Sequence, residues 1–451
     1  MLMKFGRSSN DRTNRGCWKL KDCNGQLQTF SVIGLEVREQ SRRRVCALGG
    51  PPTAQTETLP AYLVYNHLQR LNFGEVILGI SRLGIKRANR NIVIWERMRM
   101  SNLAMEPLVR NAWYIAAWSH ELDDGPIARQ IAGEHMVIFR SGDGQAAALE
   151  DRCCHRAVKL SLGKPVEKGI QCGYHGLVFD GSGACVDNPG EQLNPSYNVR
   201  AFPVVERQKM IWVWTGDAEQ ADESQIVDFP YHDLDEEWNF HFGRYEIAAN
   251  YMFMIDNLMD LTHLGYVHLS TIGGHPGEQD VAELEAARTE RGAKFVRWMM
   301  NSTPPPAFVA AGNFEGPVDR WGEFEYVAPG TVLQWAGSHD AGTGGREDRN
   351  KPGGLVFRLL HQATPADENN YHYFFSSAVR GQAPDGQANT LFHEANREAF
   401  LEDKLFIEAQ QEAVSEDPSR KLILREHDKA VAYGRQAIHQ MQNAEMSQAA
   451  E

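Results

Sequence analysis

The sequence predicts an α+β protein: a small all-β domain followed by a larger domain in which helices pack on an antiparallel sheet. Three observations predict it. Short alternating runs with turn signals fill residues 108–217, longer alternating runs fill 281–380, and the segments 254–268 and 391–414 carry the 3.6-residue period of helices.

A length of 451 residues suits two or three domains with sizeable cores. No apolar run approaches the roughly 20 residues needed to span a bilayer, so no membrane association is expected. The net charge of −13 argues against non-specific nucleic-acid binding. That charge is unevenly spread: residues 1–100 hold 17 Lys and Arg against 7 Asp and Glu, and the remainder 29 against 52. The basic leader, 1–104, contains the linker-like GGPPTAQTETLP and a stretch, NHLQRLNFGEVILGISRLGI, that suits only a short amphipathic helix. It is expected to lie outside the functional core. Seven cysteines, an odd count in a long chain without a signal peptide, point to a reducing, cytoplasmic setting, where clustered cysteines more often bind metal than pair.

Within the all-β domain, 105–217, runs such as HMVIFR, GIQCGYHGLVFD and KMIWVW read as strands. Its distinctive feature is Cys153-x-His155, then sixteen intervening residues, then Cys172-x-x-His175. Two loops thus each present one thiolate and one imidazole. A zinc ribbon would use two C-x-x-C pairs, and a zinc finger pairs like with like. The mixed pairs fit a Rieske [2Fe–2S] centre, in which two cysteines hold one iron and two histidines the other. Cys154, between two of these positions, has no assigned role.

The second domain, 218–435, opens on MIDNLMDLTHLGYVH (254–268). Wound as one helix, this segment sets Asp256, Asn257, Asp260 and His263 on one stripe of an otherwise apolar surface, with His268 five residues beyond His263. Buried carboxylates and imidazoles are costly unless paired or bound to metal. Two imidazoles with one carboxylate from elsewhere would form the 2-His-1-carboxylate triad of non-haem Fe(II) oxygenases, whereas the plainer alternative is a core helix with satisfied histidines. On LFHEANREAFLEDKLFIEAQQEAV (391–414), Asp403 lies within the apolar stripe of Phe392, Ala395, Ala399, Phe406 and Ile407. Glu394, Glu398, Glu402 and Glu408 fall off it, mainly towards solvent. A lone acid in an apolar stripe is a candidate ligand. The stretch 301–317 reads as a loop positioned to close over a pocket, and 436–451 as a tail.

The stretches CCHRAVKLSLG, CGYHGLVFDGSGACVDNPG, FPVVERQKMIWVWTGD and NLMDLTHLGYVH, with PVDRW (317–321) and AGSHDAGTGG (336–345), resemble the Rieske non-haem iron oxygenases. More narrowly they resemble the vanillate O-demethylase branch, with dicamba monooxygenase a looser match; the resemblance covers about residues 107–435. The family usually has proline where Cys154 stands, and often where Gly173 stands. The resemblance implies that Cys153, His155, Cys172 and His175 hold the cluster and that His263, His268 and Asp403 hold a mononuclear Fe(II). It implies that Asp260 bridges a cluster histidine of one subunit to an iron histidine of the next, in a homotrimer, so that an electron passes through His175 and Asp260. Asn257 lies beside that path. His361 matches a substrate-contacting histidine of dicamba monooxygenase, and His339 is a second pocket candidate.

The chain has no Gly-x-Gly-x-x-Gly after a strand and no Walker lysine motif, so its electrons should come from a separate reductase. The resemblance makes that partner an NADH-dependent flavin and iron–sulfur protein. It makes the reaction the use of dioxygen to O-demethylate a methoxylated aromatic acid. A Rieske electron carrier without catalysis is the rival reading, and hydroxylation of another aromatic or methyl-aromatic compound is the rival within enzymes. The second iron triad argues against the carrier.

Overall fold

The computed structural model describes residues 108–448 other than 384, together with three short strands near the N-terminus. Those strands, Met3–Lys4, Cys17–Lys21 and Leu27–Ser31, form an antiparallel sheet in a unit of its own, Met1–Ile94. The amphipathic stretch expected at 66–85 and the linker at 49–60 lie outside the described residues.

The second unit, Trp95–Glu451, begins with the all-β region the sequence leads one to expect. Three small antiparallel sheets build it, of four, four and three strands. The three-stranded sheet pairs Met210–Trp214 with Trp113–Trp118 and Val204–Arg207, so that Trp113, Trp118, Trp212 and Trp214 are buried together. Leu360 and Phe374, from the larger sheet that follows, complete that cluster, and Thr364 Oγ1 donates to the Ile115 carbonyl across the same seam at 2.8 Å. The all-β region is thereby fastened to its neighbour by apolar burial and by paired backbone groups.

The neighbour is built on a seven-stranded antiparallel sheet. In chain order its strands are β1 (His241–Ile247), β2 (Glu283–Arg288), β3 (Gly292–Ser302), β4 (Val318–Val327), β5 (Thr331–Asp340), β6 (Leu355–Asp367) and β7 (Asn370–Val379). Their order across the sheet is β1-β7-β6-β5-β4-β3-β2. β6, in the interior, is buried along nearly its whole length, since one face meets the helices and the other the all-β region. Helices α1 (Met252–Met259), α2 (Leu264–Val267), α3 (Pro276–Asp280), α4 (Pro306–Gly312), α5 (Gln387–Glu416) and α6 (Lys429–Gln448) complete the domain. None of the described helices is long and apolar enough to cross a membrane.

Three details depart from the sequence reading. The segment 254–268 is not one helix: Asp260, with φ −131° and ψ 102°, ends α1, and a 3-10 turn, Leu261–His263, leads into α2. Asp260 takes the capping position of that turn, accepting from Thr262 N and Oγ1, each at 3.0 Å, which short polar side chains do better than they extend a helix. The expected loop at 301–317 contains α4, started by Pro306 at its first position and stopped by Asn313 in the left-handed region (φ 54°). The expected tail from 436 is instead the continuation of α6, with Ile438 and Gln442 buried.

Candidate iron centres and substrate pocket

The two cysteine–histidine loops share one backbone design. Cys153 N donates to the Val158 carbonyl (2.9 Å) and Ala157 N to the Cys153 carbonyl (3.0 Å). In the second loop Cys172 N donates to Leu177 O (2.8 Å) and Gly176 N to Cys172 O (3.1 Å). Each turn needs a left-handed residue four places after its cysteine: Gly176 (φ 81°) supplies it freely, and Ala157 (φ 57°) under strain. The loops bury both thiols in a core with Val137, Phe139, Leu160 and Phe179 and leave the imidazoles at the surface, with His155 and His175 ring centroids 4.5 Å apart. Burial pushes the Cys153 thiol up to about 11, so a thiolate at this depth needs a cation beside it. Buried sulfurs on one side and two solvent-edge imidazoles on the other suit a cluster with unlike irons. Cys154 is exposed, outside that core.

The second centre lies where α1, α2 and α5 meet. His263, His268 and Asp403 each bring one ligand atom within 4.8 Å of the others. Asp403 Oδ1 is 3.1 Å from His268 Nε2 and 3.5 Å from His263 Nε2. The tautomers follow from the far side of each ring. His263 Nδ1 meets the Asp260 carbonyl at 2.7 Å, and His268 Nδ1 meets Glu402 Oε2 at 2.7 Å. Both acceptors require an N–H at Nδ1, so both neutral rings turn the Nε2 lone pair inward. His268 Nε2 is buried without a hydrogen-bond partner, and a metal ion at the convergence of the three atoms satisfies it. Burial lowers the His263 pKa; at His268 burial acts the same way, but Asp403 and Glu402 outweigh it and raise the value.

Asp403 is 3% exposed and sits inside the buried stripe of α5, and it accepts from Asn257 Nδ2 at 2.9 Å. Asn257 is therefore in the centre, 3.4 Å from His263 Nε2. Phe406, expected in the same stripe, is 57% exposed, because the period of the buried face runs 392, 396, 399, 403, 407. Glu402 lies off that stripe and bears on the centre all the same: its carboxylate accepts from His268 Nδ1 and, at 3.3 Å, from Thr271 Oγ1. Asp260 touches His263 through its carbonyl and not its carboxylate, which is committed to Thr262. Asp256, on the expected stripe, makes a two-point ion pair with buried Arg435 of α6.

Beside this centre is a cavity whose walls include Leu261 and Leu264, flanking His263, with Phe308, Phe357 and Phe392. Its floor is one face of the sheet. Arg320, Gly322 and Phe324 on β4 lie on that face with Gln334 and Ala336 on β5, in the register Gly322↔Ala336 and Phe324↔Gln334. His361 shares the face but not the wall: Nδ1 meets Tyr373 Oη at 2.7 Å and Nε2 meets Gln334 Oε1 at 3.0 Å. Burial holds it down to about 3, hence neutral. It reaches the cavity only through Gln334. His339 is on the opposite face, an odd position where Gln334 and Ala336 are even. It stacks on Trp321 with centroids 5.5 Å apart and donates from Nε2 to the Arg349 carbonyl at 3.2 Å. Strand alternation thus removes it from the pocket.

A mixed Cys–His pair of loops in one domain and a two-histidine, one-carboxylate centre in the next define an iron oxygenase of the Rieske class. Residues 112–203 match the Rieske [2Fe-2S] domain family, and residues 247–444 the vanillate O-demethylase oxygenase C-terminal domain. The vanillate O-demethylase oxygenase subunit of Pseudomonas sp. strain HR199 is 35% identical over 349 residues, 75% of this chain and 96% of the relative. The toluene-4-sulfonate monooxygenase system iron-sulfur subunit of Comamonas testosteroni is 34% identical over 340 residues, 75% and 98% of the two chains. The crystal structure of dicamba monooxygenase bound to dicamba superposes with a TM-score of 0.67 at 32% identity, over 76% of this chain and 99% of the other. The chain belongs to the Rieske non-haem iron oxygenases, in the branch of vanillate O-demethylase and dicamba monooxygenase. Its cofactors are a Rieske [2Fe–2S] cluster and a non-haem iron, the latter as in dicamba monooxygenase.

Proposed function

We propose that this chain is the oxygenase component of an aromatic monooxygenase that O-demethylates a methoxylated aromatic acid. The aromatic-walled cavity against the His263 segment carries the reading, with relatives named for vanillate and dicamba O-demethylation beside it. Cys153, His155, Cys172 and His175 hold the cluster, and His263, His268 and Asp403 hold the mononuclear iron. When bound, the two centres supply stored electrons and dioxygen activation. The protein residues do the rest. Asn257 holds Asp403, Glu402 and the Asp260 carbonyl aim the two imidazoles, and Phe308, Phe357 and Phe392 exclude water around the ring of the substrate. In net terms one methoxy group, dioxygen, two electrons and two protons become a phenol, formaldehyde and water.

The electrons come from a separate reductase, as the names of the relatives, components of multi-part systems, support; that reductase is NADH-dependent and carries flavin and an iron–sulfur centre. Asp260 further acts as the bridge to a cluster histidine of a second copy, in a homotrimer. Supporting this, His155 and His175 are exposed, and Tyr266 on α2 and Leu269 just after it stand uncovered, as do Leu405 and Phe406 on α5, against which α2 packs. The leader, 1–104, lies outside the working oxygenase. The test is oxygen uptake and formaldehyde release across a panel of methoxybenzoates with a surrogate reductase. Formaldehyde equimolar with oxygen consumed is expected. Oxygen consumption giving only ring- or methyl-hydroxylated products refutes O-demethylation.

A further inference from the structure

Arg320 is 4% exposed, lies on the cavity floor, and has no carboxylate within ion-pair distance among the described residues. Of its donors, Nη2 reaches only the Ile272 carbonyl, at 3.4 Å, while Nε and Nη1 are buried without partners. Its other neighbour is the Phe308 ring, 4.7 Å from the guanidinium carbon. Glu278 contributes attraction from further off: its Oε1 accepts from Thr303 N at 2.9 Å and its Oε2 is buried without a hydrogen-bond partner, but it makes no ion pair with the guanidinium. Burial pulls Arg320 down to about 9, with nearby Arg297 adding to the fall, so the group is still a cation at neutral pH. Buried charges are normally paired, and an uncompensated one is among the costliest features a fold can carry.

The cavity therefore lacks one thing, an anion with two oxygens to match the guanidinium fork. We infer that Arg320 anchors an anionic substituent, a carboxylate or a sulfonate, of an aromatic substrate whose ring lies among Phe308, Phe357 and Phe392; this rests on the oxygenase reading of the pocket. The planar guanidinium takes either group with two parallel N–H bonds, and the dry aromatic wall strengthens them. Arg320 on β4 lines the same cavity as Leu261 and Leu264, the residues that flank His263. The anchor selects acids and excludes neutral analogues of the same shape, which leave the cation unpaired.

Calorimetric titration of the full-length holoprotein with 3-methoxybenzoate, 3-methoxybenzamide and toluene-4-sulfonate tests the assignment. Wild type is expected to bind at least one anion roughly 10- to 100-fold more tightly than the neutral amide, the span of a charge-assisted bond pair. The tighter of carboxylate and sulfonate identifies the anion. Arg320→Met is expected to erase the preference, by weakening the anion and removing the unpaired cation that disfavours the amide. Retention of the preference in that variant, or its absence in wild type, overturns the assignment. Should Arg320→Met fail to fold, Arg320→Lys serves, since it keeps the charge and loses the fork: the preference must drop, and an unchanged one overturns the proposal. Formaldehyde is read in parallel samples of the same proteins and methoxy ligands supplied with dioxygen, the surrogate reductase and NADH. Arg320-dependent binding without formaldehyde refutes O-demethylation and leaves the anchor standing, whereas formaldehyde formed equally from acid and amide by wild type and variant refutes the anchor alone.

Discussion

Glu402→Ala should weaken the mononuclear iron site without destroying it. Among the described residues the Glu402 carboxylate is the one acceptor for His268 Nδ1, at 2.7 Å, and His268 is fully buried, so water cannot easily replace it. Losing the bond frees the ring to rotate and lets the proton settle on Nε2, the atom aimed at Asp403. Partners of this kind contribute about 10- to 100-fold in metal affinity, which is about 1.4–2.7 kcal/mol. Glu402→Gln keeps an acceptor oxygen and should lose less than about 10-fold. The assay is competition for iron against a graded series of chelators, with the visible spectrum of the cluster as an internal control. Glu398→Ala, an exposed acid one turn earlier on α5, is the matched surface control and should behave as wild type. Wild-type iron affinity in Glu402→Ala, or an equal loss in Glu398→Ala, refutes the argument that Glu402 orients His268.

His175→Cys should abolish the Rieske-type EPR signal whether or not a [2Fe–2S] cluster survives, because the raised potential depends on imidazole ligation; an unchanged signal refutes the ligand assignment. A chain starting at Met105 should fold, bind both iron centres and keep full turnover, since all the proposed ligands lie beyond it; lost solubility or turnover shows that the leader belongs to the enzyme. Stability should also fall on acidification through His232, which burial, chiefly, lowers to about 4 while Gln208 and Ser376 hold its two nitrogens. A lowered folded value means full stability above the unfolded pKa of about 6.5 and progressive loss from there down to about 4. Between pH 7 and 5 that amounts to about 2 kcal/mol. In urea melts, His232→Gln should show a pH 7-to-5 drop smaller than wild type by about that much, and an identical drop contradicts it.

What could be read from the sequence was what chemistry concentrates locally. The cluster loops were legible because the four proposed ligands sit in two short, similar turns, and Asp403 because a lone acid interrupts an apolar period. The helix through 254–268 was misjudged at Asp260, where side-chain capping of Thr262 competes with helix continuation and nothing in the period reports it. Glu402 was passed over by the same periodicity that found Asp403. Its signal was chemical, since a buried metal-binding imidazole needs an acceptor at its other nitrogen. His339 and His361 could not be told apart until register was known, as one residue of strand alternation puts them on opposite faces. Arg320 stood in plain view within PVDRW, but only burial without a counter-ion marks it out.

Iron analysis of Asp403→Ala, with EPR of the reduced protein, tests the central claim most directly. His263, His268 and Asp403 are held to bind the one iron outside the cluster. Iron per chain should then fall from about three to about two, the content of the [2Fe–2S] centre, while the Rieske signal keeps its shape and intensity and turnover disappears. A variant that keeps about three irons per chain and wild-type turnover contradicts the account, and its third ligand would have to be sought on another element.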